Sequence, residues 1–285
     1  MSFHSPEYYA LWGQHQQLKA LNEVDHQGIL PDGLLDPLAV FFVQARQFFQ
    51  NIRARFDVPR RDPYKPNPQV SALLSSVGYS NARTITIYVP DGFTGLMVDY
   101  LKGTEPALAM GQTFVPSTLI PFKAFAASLL AHPEQLGNER PFVALERVVF
   151  HKDLIRLHQE HYNSFIASAN HMGNELPFGS VYQSVRQFDE VTALLATLSK
   201  QAHNINQAQA LRDVQQINEL MDRLLSRVEA NAQKYQITTS RMMELAEVTQ
   251  QVAFEVDFLA GLINSIYLVE ESMQATENRL LTLLN

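Results

Sequence analysis

The chain has 285 residues, 46% of them hydrophobic and none of them cysteine, with a formal net charge of −7. These values exclude disulfides, thiolate metal sites and thiol catalysis, and they place the chain with globular or coiled-coil proteins rather than disordered ones. Its 22 basic and 29 acidic residues divide at Pro177 into 14 and 16 before it and 8 and 13 after it, so the second part repels phosphate backbones and nucleic acid is not expected to bind there.

In chain order, Tyr8, Tyr9, Leu11, Trp12, Leu18 and Leu21 predict a short amphipathic helix ending near Gly28. Asp36 followed by Pro37 reads as an N-cap with proline in the first helical position. The helix it opens carries Phe41, Phe42, Phe48, Phe49 and Phe56, rings that require burial. Residues 58–68 hold four prolines and three cations, and form an extended connector that wraps its own domain or docks on a partner. Arg46, Arg53, Arg55, Arg60, Arg61 and Lys65 make a modest basic region suited to an acidic partner, the chain's own acidic helices included.

Alternation in Arg83–Val89 predicts a strand ended by Pro90-Asp91-Gly92. A second strand over Phe93–Leu101, a third around Thr113–Val115 and a helix over Phe122–Leu130 are expected to complete a small α+β knob. Gly103, Pro106, Gly111, Pro116 and Pro121 read as its breaks. Pro141 restarts helix as far as about Asn170, and Gly173, Pro177 and Gly179 stop it.

From Ser180 to Ala260 there is neither glycine nor proline. A first seven-residue frame runs through Val181, Phe188, Leu195 and Ala202. It slips within 203–209, and a second frame then continues to Leu284. The seam of that second frame comprises Val214, Ile217, Met221, Leu224, Val228, Leu245, Val252, Val256, Leu259, Ile263, Ile266, Met273, Leu280 and Leu284. Such a narrow apolar seam demands helical partners, either the chain's own helices or other copies. The preserved phase favours a rod of about 105 Å, while Ile237-Thr238-Thr239-Ser240, rich in poor helix formers, marks the place where a hairpin of two helices would turn.

The expected fold is therefore mainly α, with a small α+β insertion in the N-terminal half and a C-terminal helical bundle or coiled-coil arm. The divisions fall at 1–69 for the N-terminal helices and connector, 70–135 for the knob, 136–178 for a helix and 179–285 for the bundle or arm.

Candidate chemistry is sparse. His151, His158 and His161 lie within about 80° of one helical face, yet they lack the His-Glu spacings of helical zinc and di-iron sites, so the trio reads as a polar strip at a helix contact and only secondarily as a metal site. Glu270 and Glu277 occupy seam positions and read as acids facing water where the bundle thins, or else as a register device. The glycines form no phosphate cradle, and neither a catalytic nor a cofactor-binding set is nominated.

The layout of an extended helical arm beside a compact knob resembles that of tailed-phage virion components, a likeness that transfers no functional residue. It implies a non-enzymatic structural or assembly protein, present in several copies, partnered by itself and by other proteins of a head, neck, tail or baseplate. Its expected location is soluble and intracellular at synthesis and then within a virion. Two alternatives are a coiled-coil adaptor binding a partner helix and a membrane-active helical protein inserting Phe254–Val269. Glu255 and Asp257 weigh against the last, and no membrane span is expected.

Overall fold

The computed structural model describes residues 3–24, 32–56, 62–70, 72, 84–87, 93–137, 142–171, 181–231 and 234–284. The protein is mainly α. Its elements are α1 (Pro6–Val24), α2 (Asp32–Asn51), the single turn α3 (Arg53–Phe56), β1 (Thr84–Ile87), α4 (Phe93–Phe114), α5 (Ile120–Ala131), α6 (Lys152–His171), β2 (Val181–Ser184), α7 (Val185–Asn204), α8 (Gln207–Asn231) and α9 (Thr239–Leu284).

The organising element is α9, 46 residues long. Across residues 252–263 every position except Phe254 is buried, as expected of a helix apolar on all sides and enclosed by others. It contacts α1, α2, α3, α4 and α7. Around it α1 packs on α2, α2 and α5 pack on α8, and α4 packs on both α6 and α7. Buried apolar residues from Phe3 to Met273 form one continuous cluster that includes all five phenylalanines of 41–56.

The frame slip falls where α7 ends at Asn204 and α8 begins at Gln207. The seam is no rod: α8 and α9 are separate helices, and Gln236 between them adopts φ 48°, a left-handed conformation that reverses the chain. Thr238 N–H, at the foot of α9, donates to Leu136 O.

The α+β knob does not form as expected. The strand at Thr84–Ile87 is present, but its antiparallel partner is β2, with Thr84 opposite Ser184 and Ile87 opposite Val181. Val181, read as the start of a helical frame, thus lies in a strand, and α7 starts at Val185. Residues 93–114, expected to hold a second strand and part of a third, are the helix α4.

The supposed breakers have other uses. Pro106 sits inside α4, and Pro116 lies in a π-helical turn, Val115–Leu119, that joins α4 to α5. A widened turn absorbs an amide that proline cannot supply. It also opens a docking place, where Ser117 O accepts from Val149 N–H and Thr118 Oγ1 donates to Val149 O. Gly111 is a close approach, since a Cβ there would lie 2.9 Å from Ile205 Cδ1 and 3.0 Å from Leu259 Cδ1.

Three boundaries also differ. The helix predicted to open at Asp36-Pro37 begins earlier, at Asp32, and encloses Pro37. The helix predicted from Pro141 begins at Lys152, after a 3-10 turn over Val143–Arg147. The first helix ends by Val24, and Gly28 falls outside the described residues.

Candidate functional site

Twelve of the seam residues, Val214, Ile217, Met221, Leu224 and Val228 on α8 and Leu245, Val252, Val256, Leu259, Ile263, Ile266 and Met273 on α9, are buried within the single chain. The side chains of Leu280 and Leu284 lie outside the described residues. The chain's own helices cover the seam.

Polar chemistry concentrates instead on α9, where Glu255, Asp257, Glu270 and Glu277 are all buried. Glu270 and Glu277 therefore do not face water as expected. Glu277 accepts from Tyr64 OH and from Asn67 N–H, both at 2.9 Å, while Tyr64 N–H donates to Ser199 Oγ at 2.7 Å. The proline-rich connector is thereby tied along its own bundle. Burial raises the Glu277 pKa and outweighs the lowering by these two donors.

Glu255 receives the backbone N–H of His151 and stands 3.3 Å from His151 Nδ1 and 3.4 Å from Thr118 Oγ1. Its pKa is raised, again by burial first and against the His151 contacts.

Asp257, two residues on, is fully buried and meets a richer set of donors. His4 Nδ1 lies 2.7 Å away, Ser5 N–H donates at 3.0 Å, and the Arg55 guanidinium pairs with its other oxygen. Burial pushes its pKa upward, but the His4 bond, the Arg55 charge and the Ser5 N–H together prevail and hold it below the ordinary aspartate value. Arg55 also donates to Phe3 O, and Ser5 Oγ accepts from Tyr8 N–H as the cap of α1. The basic region does meet the chain's own acidic helices, through Arg55 and through the exposed pair of Arg46 with Asp222 at 2.8 Å.

The histidine trio is not brought together. His151 joins Glu255, His158 is buried between Phe3, Tyr100 and Phe258, and His161 is exposed over Gly103. His158 Nε2 lies 3.3 Å from Thr104 Oγ1. Burial, with the nearby His161, lowers its pKa to about 4. Among the described residues no group of three histidine or carboxylate side chains is placed to hold a metal ion.

Above the His4–Asp257 pair a cleft of about 330 Å³ opens between the start of α1 and α6. It is lined by Phe3, His4, Tyr8, Tyr9, Trp12, Gln159, Asn163 and Phe254. The Gln159 carboxamide meets His4 Nε2, and Gln250 Nε2 donates to Tyr8 OH at 3.0 Å. Tyr9 and Trp12, one turn apart on α1, are 51% and 46% exposed at its rim. Sequence reasoning placed the aromatic residues in a helix but did not nominate His4, Asp257 or this cleft. The visible signal was two carboxylates inside the apolar run Phe254–Val269.

Two helical stretches, Val98–Ala131 and Thr239–Asn278, are long and apolar enough to cross a membrane by length and composition alone, a test that a buried core helix also passes. An 18-residue apolar window of the second is 83% buried within the protein. A comparison with family models, curated proteins and solved structures finds no match for the chain.

Proposed function

We propose that the protein is a non-enzymatic structural component, carried in several copies by a larger assembly such as a tailed-phage particle. The observation that supports this reading is the use made of the buried acids of α9. Glu255, Asp257 and Glu277 each clamp a different covering segment, and their hydrogen-bonding capacity goes into holding the scaffold. With the heptad seam filled internally, copies would join through surface contacts and leave the seam undisturbed. Mass spectrometry of purified particles tests this: the chain is expected at a fixed multiple of the other components. Its absence from particles whose genome carries this gene beside capsid, portal or tail genes would overturn the reading.

A second reading, a membrane-active protein, draws on the two apolar stretches and requires α9 to leave its cover. Flotation with anionic liposomes distinguishes it, since a clamped scaffold stays in the dense fraction.

A further inference from the structure

We propose that the cleft between α1 and α6 binds one ring of a neutral saccharide. This goes beyond the assembly reading and does not depend on it.

The lining argues for the class of ligand. Six of its eight side chains are aromatic rings, counting His4, and the other two are carboxamides; no lysine, arginine, aspartate or glutamate is among them. Beneath the lining, Asp257 is 0% exposed and engaged by His4, Ser5 and Arg55, and the Arg55 guanidinium is taken up by Asp257 and by Phe3 O. A phosphorylated or carboxylated ligand thus meets no cation in the cleft, within a protein of net charge −7. A cationic ligand meets aromatic faces but no accessible carboxylate. A neutral ligand remains, with flat apolar faces and a polar circumference.

A pyranose ring has that form. Its C–H faces stack on Tyr9 and Trp12, whose exposed positions one turn apart frame the mouth. Across on α6, the Asn163 carboxamide offers two donors and an acceptor to neighbouring hydroxyls, and that of Gln159, whose Nε2 already meets His4 Nε2, adds its oxygen and one remaining N–H. The volume of about 330 Å³ lies at the small end of ligand sites, which begin at roughly 300 Å³, and suits a ring better than a length of extended peptide.

Trp12 is the only tryptophan, so tryptophan emission, excited selectively over that of the tyrosines, reports on this cleft. The test titrates the protein with chitotriose, maltotriose and cellotriose, and in separate arms with adenosine and a proline-rich peptide. A saturable change with at least one trisaccharide is expected. It should weaken by about tenfold, or 1.4 kcal/mol, in Tyr9→Ala and in Asn163→Ala, two exposed positions whose variants are checked for retained helix by circular dichroism. No saturable change with any trisaccharide, a response only to adenosine or the peptide, or an unaltered response in both variants would each overturn the proposal.

Discussion

At the scale of single residues, the informative contrast lies among the buried acids of α9, which differ in the donors they meet. Asp257 is held low in pKa by His4, Arg55 and Ser5, so it stabilises the fold above the ordinary aspartate range and that contribution is lost as pH falls through its lower folded value. Asp257→Asn should cost about 3 kcal/mol, because it strips the partly buried Arg55 guanidinium of its counter-charge; urea denaturation at pH 7 measures it. Glu277 has the opposite sign. Its raised pKa means that the folded state loses stability as pH rises through the folded value. Glu277→Gln keeps an acceptor for Tyr64 and Asn67 and should therefore be neutral or stabilising at pH 8, with a flatter stability profile. His158 is held neutral down to about pH 4, whereas the unfolded chain protonates near 6.5. Below pH 6.5 the unfolded state binds more protons, so this residue withdraws up to about 3 kcal/mol as pH falls to 4, and His158→Leu should remove that slope. None of these signs was legible beforehand, since Asp257 and Glu255 look alike in sequence and differ through partners more than 100 residues away.

At the scale of elements, periodicity located the helices and misjudged their limits. The helical frames of α7, α8 and α9 and the slip between the first two follow from residue spacing alone, because a seam repeats along its own helix, whereas the same spacing favours a rod across the turn before Thr239, which only the poor helix formers of 237–240 mark. In the stretch 93–121 glycine and proline do not act as punctuation, and a reading that treats them so misses the helix. In the folded protein Gly103 and Gly111 admit neighbouring side chains, and a π turn carries Pro116. Gly111→Ala should cost about 1–2 kcal/mol, since its neighbours are the movable ends of Ile205 and Leu259, while Gly137→Ala should cost more because its Cβ would strike the backbone oxygen of Tyr235. Gly13, with nothing within 4 Å of such a Cβ, is the control in the same thermal-melt series. Gln236→Gly should be neutral or stabilising by about 1 kcal/mol, as glycine takes the left-handed turn without strain.

At the scale of the whole molecule, a seam filled from within predicts that the purified chain scatters light as a monomer, with a melting temperature independent of its concentration. A concentration-dependent midpoint would show instead that copies complete the fold. The cleft was invisible at this scale too. Its lining comes from α1 and the residues just ahead of it, from α6 and from α9, and no local pattern announces that residues near 4, 12, 159 and 254 will meet.

The central helix is also the last of the described elements in chain order, and the contacts that close the fold join residues such as Ser5 and Asp257, 252 positions apart. During synthesis the aromatic faces of α1 and α2 emerge long before the helix that covers them. Chain termination after residue 231 should therefore leave an aggregation-prone fragment rather than a smaller stable domain, and nascent chains of that length should engage holding chaperones until translation delivers α9.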